Sequence, residues 1–110
     1  MHARRNAALM LSLALAIFAL PVRAGDPAPP GEIAIQGYAF VPATLEVKAG
    51  TAVAWVNRDE DPHTATADDG GWSSRGLDQE ERFTHTFDKP GRYRYHCALH
   101  PQMKAEILVR

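Results

Sequence analysis

Cys97, His100 and Met103 fall within one stretch of seven residues, Cys97-Ala98-Leu99-His100-Pro101-Gln102-Met103. Thiolate, imidazole and thioether are the soft and borderline donors that select copper over hard cations. The spacing C-x2-H-x2-M lets a single tight loop between two strands aim all three at one point. A plane of two imidazoles and a thiolate, with the thioether as a long axial ligand, needs a second histidine. His63, which follows Pro62 at the head of an earlier extended segment, is the candidate. Taken singly, a cysteine, a methionine or a histidine is ordinary packing or surface material. The chain has one Cys and three Met, and Met1 and Met10 sit at its N-terminal end. Finding the Cys and the remaining Met together around a His is what points to a metal.

The other histidines fit the site less well. His96 precedes Cys97 and so points to the opposite face of a strand, toward packing or solvent. His85 lies between Phe83 and Phe87 on an apolar face, which suits a hydrogen-bonded histidine at the edge of the core. A Cys–His pair also suggests a thiol nucleophile with its base, but no orienting third residue is evident and Met103 then has no role. No further ligand cluster offers a second copper site, so the pattern is not that of an enzyme.

Positioning these donors falls to strands. Glu32–Gln36 alternates, and Tyr38 and Phe40 follow Gly37. Leu45–Lys48 and Thr51–Val56 flank Ala49-Gly50, a tight-turn pair. His63–Ala67 is Thr/Ala-rich and extended, and Asp68–Gly71 is a polar loop. Arg82–Phe87 puts Phe83, His85 and Phe87 on one face. Asp88-Lys89-Pro90-Gly91 suits a type II turn. Tyr93, Tyr95 and Cys97 then share one face of the next strand, with Arg92, Arg94 and His96 on the other, and Ala105–Val109 closes the chain. Seven or eight short strands without a sustained helical period predict an all-β, Greek-key sandwich.

Residues 1–24 read as a secretory signal: Arg4 and Arg5, an uncharged run from Ala7 to Leu20, then Val22-Arg23-Ala24 with small residues at the cleavage positions. The run is short for a membrane span. Residues 25–31 form a Pro-rich linker, and residues 32–110 the folded domain. All 13 acidic residues follow Ala24, while Arg4, Arg5 and Arg23 precede it, so cleavage takes the net charge from −1 to −4. An exported chain of this size is one small domain, and its charge gives no reason to expect nucleic acid as a partner. One cysteine forms no internal disulfide, and in an oxidising compartment it needs another use. Asp59, Glu60 and Asp61 before His63, with Asp68 and Asp69 beyond, fit either steering of a basic partner or simple solvation of the loops.

From Phe40 to Val109 the chain resembles the plastocyanin/azurin group of cupredoxins, most closely the amicyanins. The matching elements are Phe40-x-Pro42, Leu45-x-Val47-x-x-Gly50, Val53-x-Trp55-x-Asn57, Pro62-His63, Gly91-x-Tyr93-x-Tyr95-His96-Cys97 and His100-Pro101-x-Met103. The resemblance implies an eight-stranded sandwich with one type 1 (blue) copper ion bound by His63, Cys97, His100 and Met103. It also implies a soluble periplasmic monomer that cycles between Cu(I) and Cu(II). Such a carrier would pass single electrons between transient partners such as a dehydrogenase donor and a c-type cytochrome acceptor. Copper delivery or storage by the same ligands is the alternative. Ala98, Leu99 and Pro101, around His100, form a candidate docking rim. Two departures stand out: Thr64 replaces the Asn that follows the first His in amicyanin, and most of the amicyanin N-terminal extension is missing.

Overall fold

A computed structural model describes residues 31–110; the signal segment and most of the linker lie outside the described residues. Eight strands follow in chain order: β1 (Gly31–Ile35), β2 (Phe40–Val41), β3 (Thr44–Val47), β4 (Thr51–Asn57), β5 (Thr66–Ala67), β6 (Arg82–Phe87), β7 (Gly91–His96) and β8 (Lys104–Val109). They form two four-stranded sheets, ordered β2-β1-β4-β6 and β3-β8-β7-β5. The chain crosses between sheets several times. Two of the pairings, β1 with β4 and β3 with β8, are therefore parallel, and the rest are antiparallel.

Alternation explains the layering. In β1, Ile33 and Ile35 turn inward; in β7 and β8, Tyr95, Ile107 and Val109 do the same. β4 is the exception, buried along nearly its whole length, with Trp55 in its middle. Trp55 is fully enclosed and meets Tyr95 edge-on at 5.5 Å, with Trp72 at 5.3 Å and Phe83 at 5.6 Å. Burial pushes the Tyr95 phenol well above its ordinary pKa, so it stays a neutral core ring. Cys97 and Met103 belong to this same core.

Of the two expected turns, one holds and one differs. Ala49-Gly50 does turn the chain tightly, with Thr51 N–H on Lys48 C=O at 3.1 Å and Gly50 at φ 90°. It passes the chain from one sheet to the other. Gly91 opens β7 at φ 158°, far from the value near +80° of a type II turn. The expected strand faces hold: Tyr93, Tyr95 and Cys97 inward, Arg92 and Arg94 outward.

Candidate metal centre

The site is built at one end of the sandwich, where β7 ends and the long connection after β4 passes over it. β7 delivers Cys97, fully buried, as the first residue beyond the strand. The loop then closes on itself: Cys97 N–H donates to Met103 C=O at 3.1 Å and Met103 N–H to His100 C=O at 2.9 Å. That closure brings His100 back over Cys97 and leaves the Met103 side chain, 4% exposed, in the core. Opposite, His63 is pinned from its backbone by a paired bridge, His63 N–H to Leu77 C=O at 3.1 Å and Leu77 N–H to His63 C=O at 2.7 Å.

His63 Nδ1, Cys97 Sγ and His100 Nδ1 consequently converge. The two imidazole nitrogens stand 3.1 Å apart, and each lies 3.8 Å or 3.7 Å from the sulfur. Three donors sharing an ion at about 2.0–2.3 Å in a trigonal plane would be about 3.5–3.7 Å apart. The observed triangle is close to that, slightly narrow on its nitrogen edge. Two histidines and one thiolate, mostly sealed from water, form a cluster suited to copper.

Supporting contacts orient each donor. Asp59 Oδ2 lies 2.9 Å from His63 Nε2; a carboxylate accepts, so Nε2 carries the proton and the Nδ1 lone pair faces the cluster. The same carboxylate takes the Gly37 and Tyr38 N–H groups at 2.8 and 2.9 Å. Asn57, fully buried, donates to Asp61 C=O and Leu77 C=O and accepts from Asp59 N–H, which fixes the loop leading to His63. Thr64 N–H points at Cys97 Sγ at 3.3 Å, and Thr64 Oγ1 accepts from Ala98 N–H at 2.8 Å. Thr64 thus ties the two ligand segments together in spite of the missing Asn.

Among the described residues, the remaining histidines stay apart. His96 turns outward, with Nδ1 2.6 Å from Asp68 Oδ1. His85 stacks on Trp72 at 5.2 Å, and burial pulls its pKa below the usual 6.5 while Asp88 opposes the shift. Of the five acids read together from the sequence, Asp59 turns inward to His63 and Asp68 holds His96. Asp69 accepts from Gly71 N–H, and only Glu60 and Asp61 remain as plain surface charges beside the site.

Sequence reasoning gave Asp59 only steering or loop solvation, and assigned no role to Asn57 or Tyr38. The signal available for Asp59 was its position four residues before His63, on a turn tight enough to bring the carboxylate back. Tyr38 gave no such signal. It reaches the site from the β1–β2 turn, distant in sequence, and its ring sits 5.1 Å from both His63 and His100.

A two-sheet sandwich with a His-Cys-His cluster, and a buried methionine closing the same loop, is the arrangement of a cupredoxin. The cupredoxin-like domain family matches residues 7–109, and the chain belongs to that family. Amicyanin-alpha of Methylorubrum extorquens is 31% identical over 108 residues, which span 94% of this chain and 91% of that protein. Among solved structures, an oxidized amicyanin variant superimposes with a TM-score of 0.70 at 28% identity, covering 74% of this chain and 82% of the other. The copper-containing nitrite reductase of Thermus scotoductus gives 0.71 at 34% identity, but this chain spans only 25% of it.

Proposed function

We propose that this protein is an exported type 1 copper protein that carries single electrons between soluble redox partners. The single observation that supports it most is the convergence of His63 Nδ1, Cys97 Sγ and His100 Nδ1 in a buried cluster whose ligand segments are braced on both sides. His63, Cys97 and His100 would hold the ion, and Met103 would supply a thioether donor. Bound copper supplies a one-electron couple. The chain's own part is to hold its donors still, because a carrier works fast when its ligands barely move between the two oxidation states.

Each brace serves that end. The Asp59 carboxylate keeps the His63 ring in one tautomer and one plane. Thr64 N–H, aimed at the sulfur, stabilises thiolate charge on Cys97. The Cys97–Met103 and Met103–His100 backbone bonds keep the loop from opening. Its partly exposed imidazole makes His100 the path to the surface, inside a rim of exposed Ala98, Leu99 and Pro101. That rim is the contact for a transient partner, a dehydrogenase giving electrons or a c-type cytochrome taking them. Cleavage after Ala24 releases residues 25–110 to the periplasm as a monomer.

Full burial of His63 and Cys97 favours carrying over delivery, since a metal handed to another protein must be reached by the acceptor's ligands. Voltammetry of the copper-loaded protein tests this directly. A reversible one-electron wave, with copper retained in the presence of a metal-free acceptor, is the expected result. Loss of copper to that acceptor within seconds would establish delivery instead.

A further inference from the structure

We propose that Tyr38 is a positioning residue that sets the orientation of the His100 ring, with Asp59 as its anchor; the metal-dependent part of this inference rests on the copper reading above. Tyr38 is 46% exposed, an unusual amount for an aromatic ring that is not simply on the surface but touches both imidazoles of the cluster. Its ring meets His63 and His100 edge-on, each at 5.1 Å and 87°. Edge-to-face geometry is the favourable one for such rings, because the positive edge of one meets the negative face of the other.

The backbone shows that this placement is enforced. Tyr38 stands at φ 56°, in the left-handed region that a bulky side chain seldom adopts, directly after Gly37 at φ 63°. Two consecutive left-handed residues aim their N–H groups the same way, and both donate to the Asp59 carboxylate. That carboxylate also receives His63 Nε2. One side chain therefore orients His63 directly and His100 through Tyr38. His100 needs the help more. His63 is fully buried and bridged to Leu77, whereas His100 rides on a loop with exposed residues on both sides.

The contact requires the ring and not the hydroxyl, so Tyr38→Phe should behave as the unchanged protein and Tyr38→Ala should not. In the metal-free protein, NMR should show cross-peaks from the Tyr38 ring to both imidazoles. Tyr38→Ala should broaden the His100 ring signals while those of His63 stay sharp. In the copper-loaded protein, Tyr38→Ala should alter the visible band ratio and speed copper loss to a chelator by about tenfold, the factor that corresponds to about 1.4 kcal/mol. Tyr38→Leu, which keeps bulk without an aromatic edge, should resemble the alanine variant. Missing cross-peaks, or His100 signals equally sharp in Tyr38→Ala, would overturn the role of Tyr38 whatever the metal does. Cross-peaks present in a protein that takes up no copper would support the ring placement and sink the copper reading alone.

Discussion

Asp59 is the residue whose chemistry departs most from its appearance in the sequence. Among three consecutive acids it looks like surface charge, yet its side chain is only 14% exposed and satisfies His63 Nε2 and two backbone N–H groups at once. Replacing it by alanine leaves the buried His63 donor without a partner, and outer contacts of this kind typically carry about 10–100-fold in metal affinity. Asp59→Ala is accordingly expected to weaken copper binding by about that factor in a competition titration with a chelating dye, whereas Glu60→Ala leaves it unchanged. His85 makes a second case at this scale. Because burial holds its pKa below 6.5, the folded state binds fewer protons than the unfolded state in the interval between that lowered value and 6.5. Stability is then lost as the pH falls through that interval. Thermal melts of the metal-free protein should show a lower midpoint below pH 6.5. His85→Phe, which keeps the stack on Trp72, should flatten that dependence.

At the scale of elements, the strands and their inward faces were legible because period-2 alternation is written locally: Phe83-His85-Phe87 and Tyr93-Tyr95-Cys97 each declare a face. The Cys97–Met103 loop was legible because its donors are adjacent in the chain. Sheet membership was not. The tight turn at Ala49-Gly50 does not reveal that β3 and β4 belong to different sheets, or that β3 and β1 pair in parallel with β8 and β4 across long sequence distances. Tyr38 was missed for the same reason, as its approach to His100 depends on how the β1–β2 turn folds over a loop some sixty residues away. The junction between the two ligand segments is testable through Thr64, whose hydroxyl accepts from Ala98 N–H. Thr64→Val keeps the shape and removes the acceptor, at an expected cost of about 1 kcal/mol in denaturant unfolding of the metal-free protein. Thr64→Ser should restore most of it.

Across the whole molecule, the sandwich separates two tasks. Its aromatic core around Trp55 supplies rigidity, and one end presents His100 within a small apolar surface. Leu99, 53% exposed and next to His100, lies in the rim proposed above for partner contact. Leu99→Glu should slow electron exchange with a redox partner by at least about tenfold, since a charge would be desolvated in the encounter, and leave the visible spectrum unchanged. Stopped-flow kinetics at fixed salt measures both. The central claim, that Cys97 is the thiolate of a copper site completed by His63, His100 and Met103, has a direct test in adding Cu(II) to the metal-free protein and to Cys97→Ser. The native chain should turn intensely blue with one equivalent and show a narrow parallel hyperfine splitting, and the serine variant should show neither. A native protein that stays colourless, or whose Cys97 is alkylated without any effect on copper uptake, would contradict it.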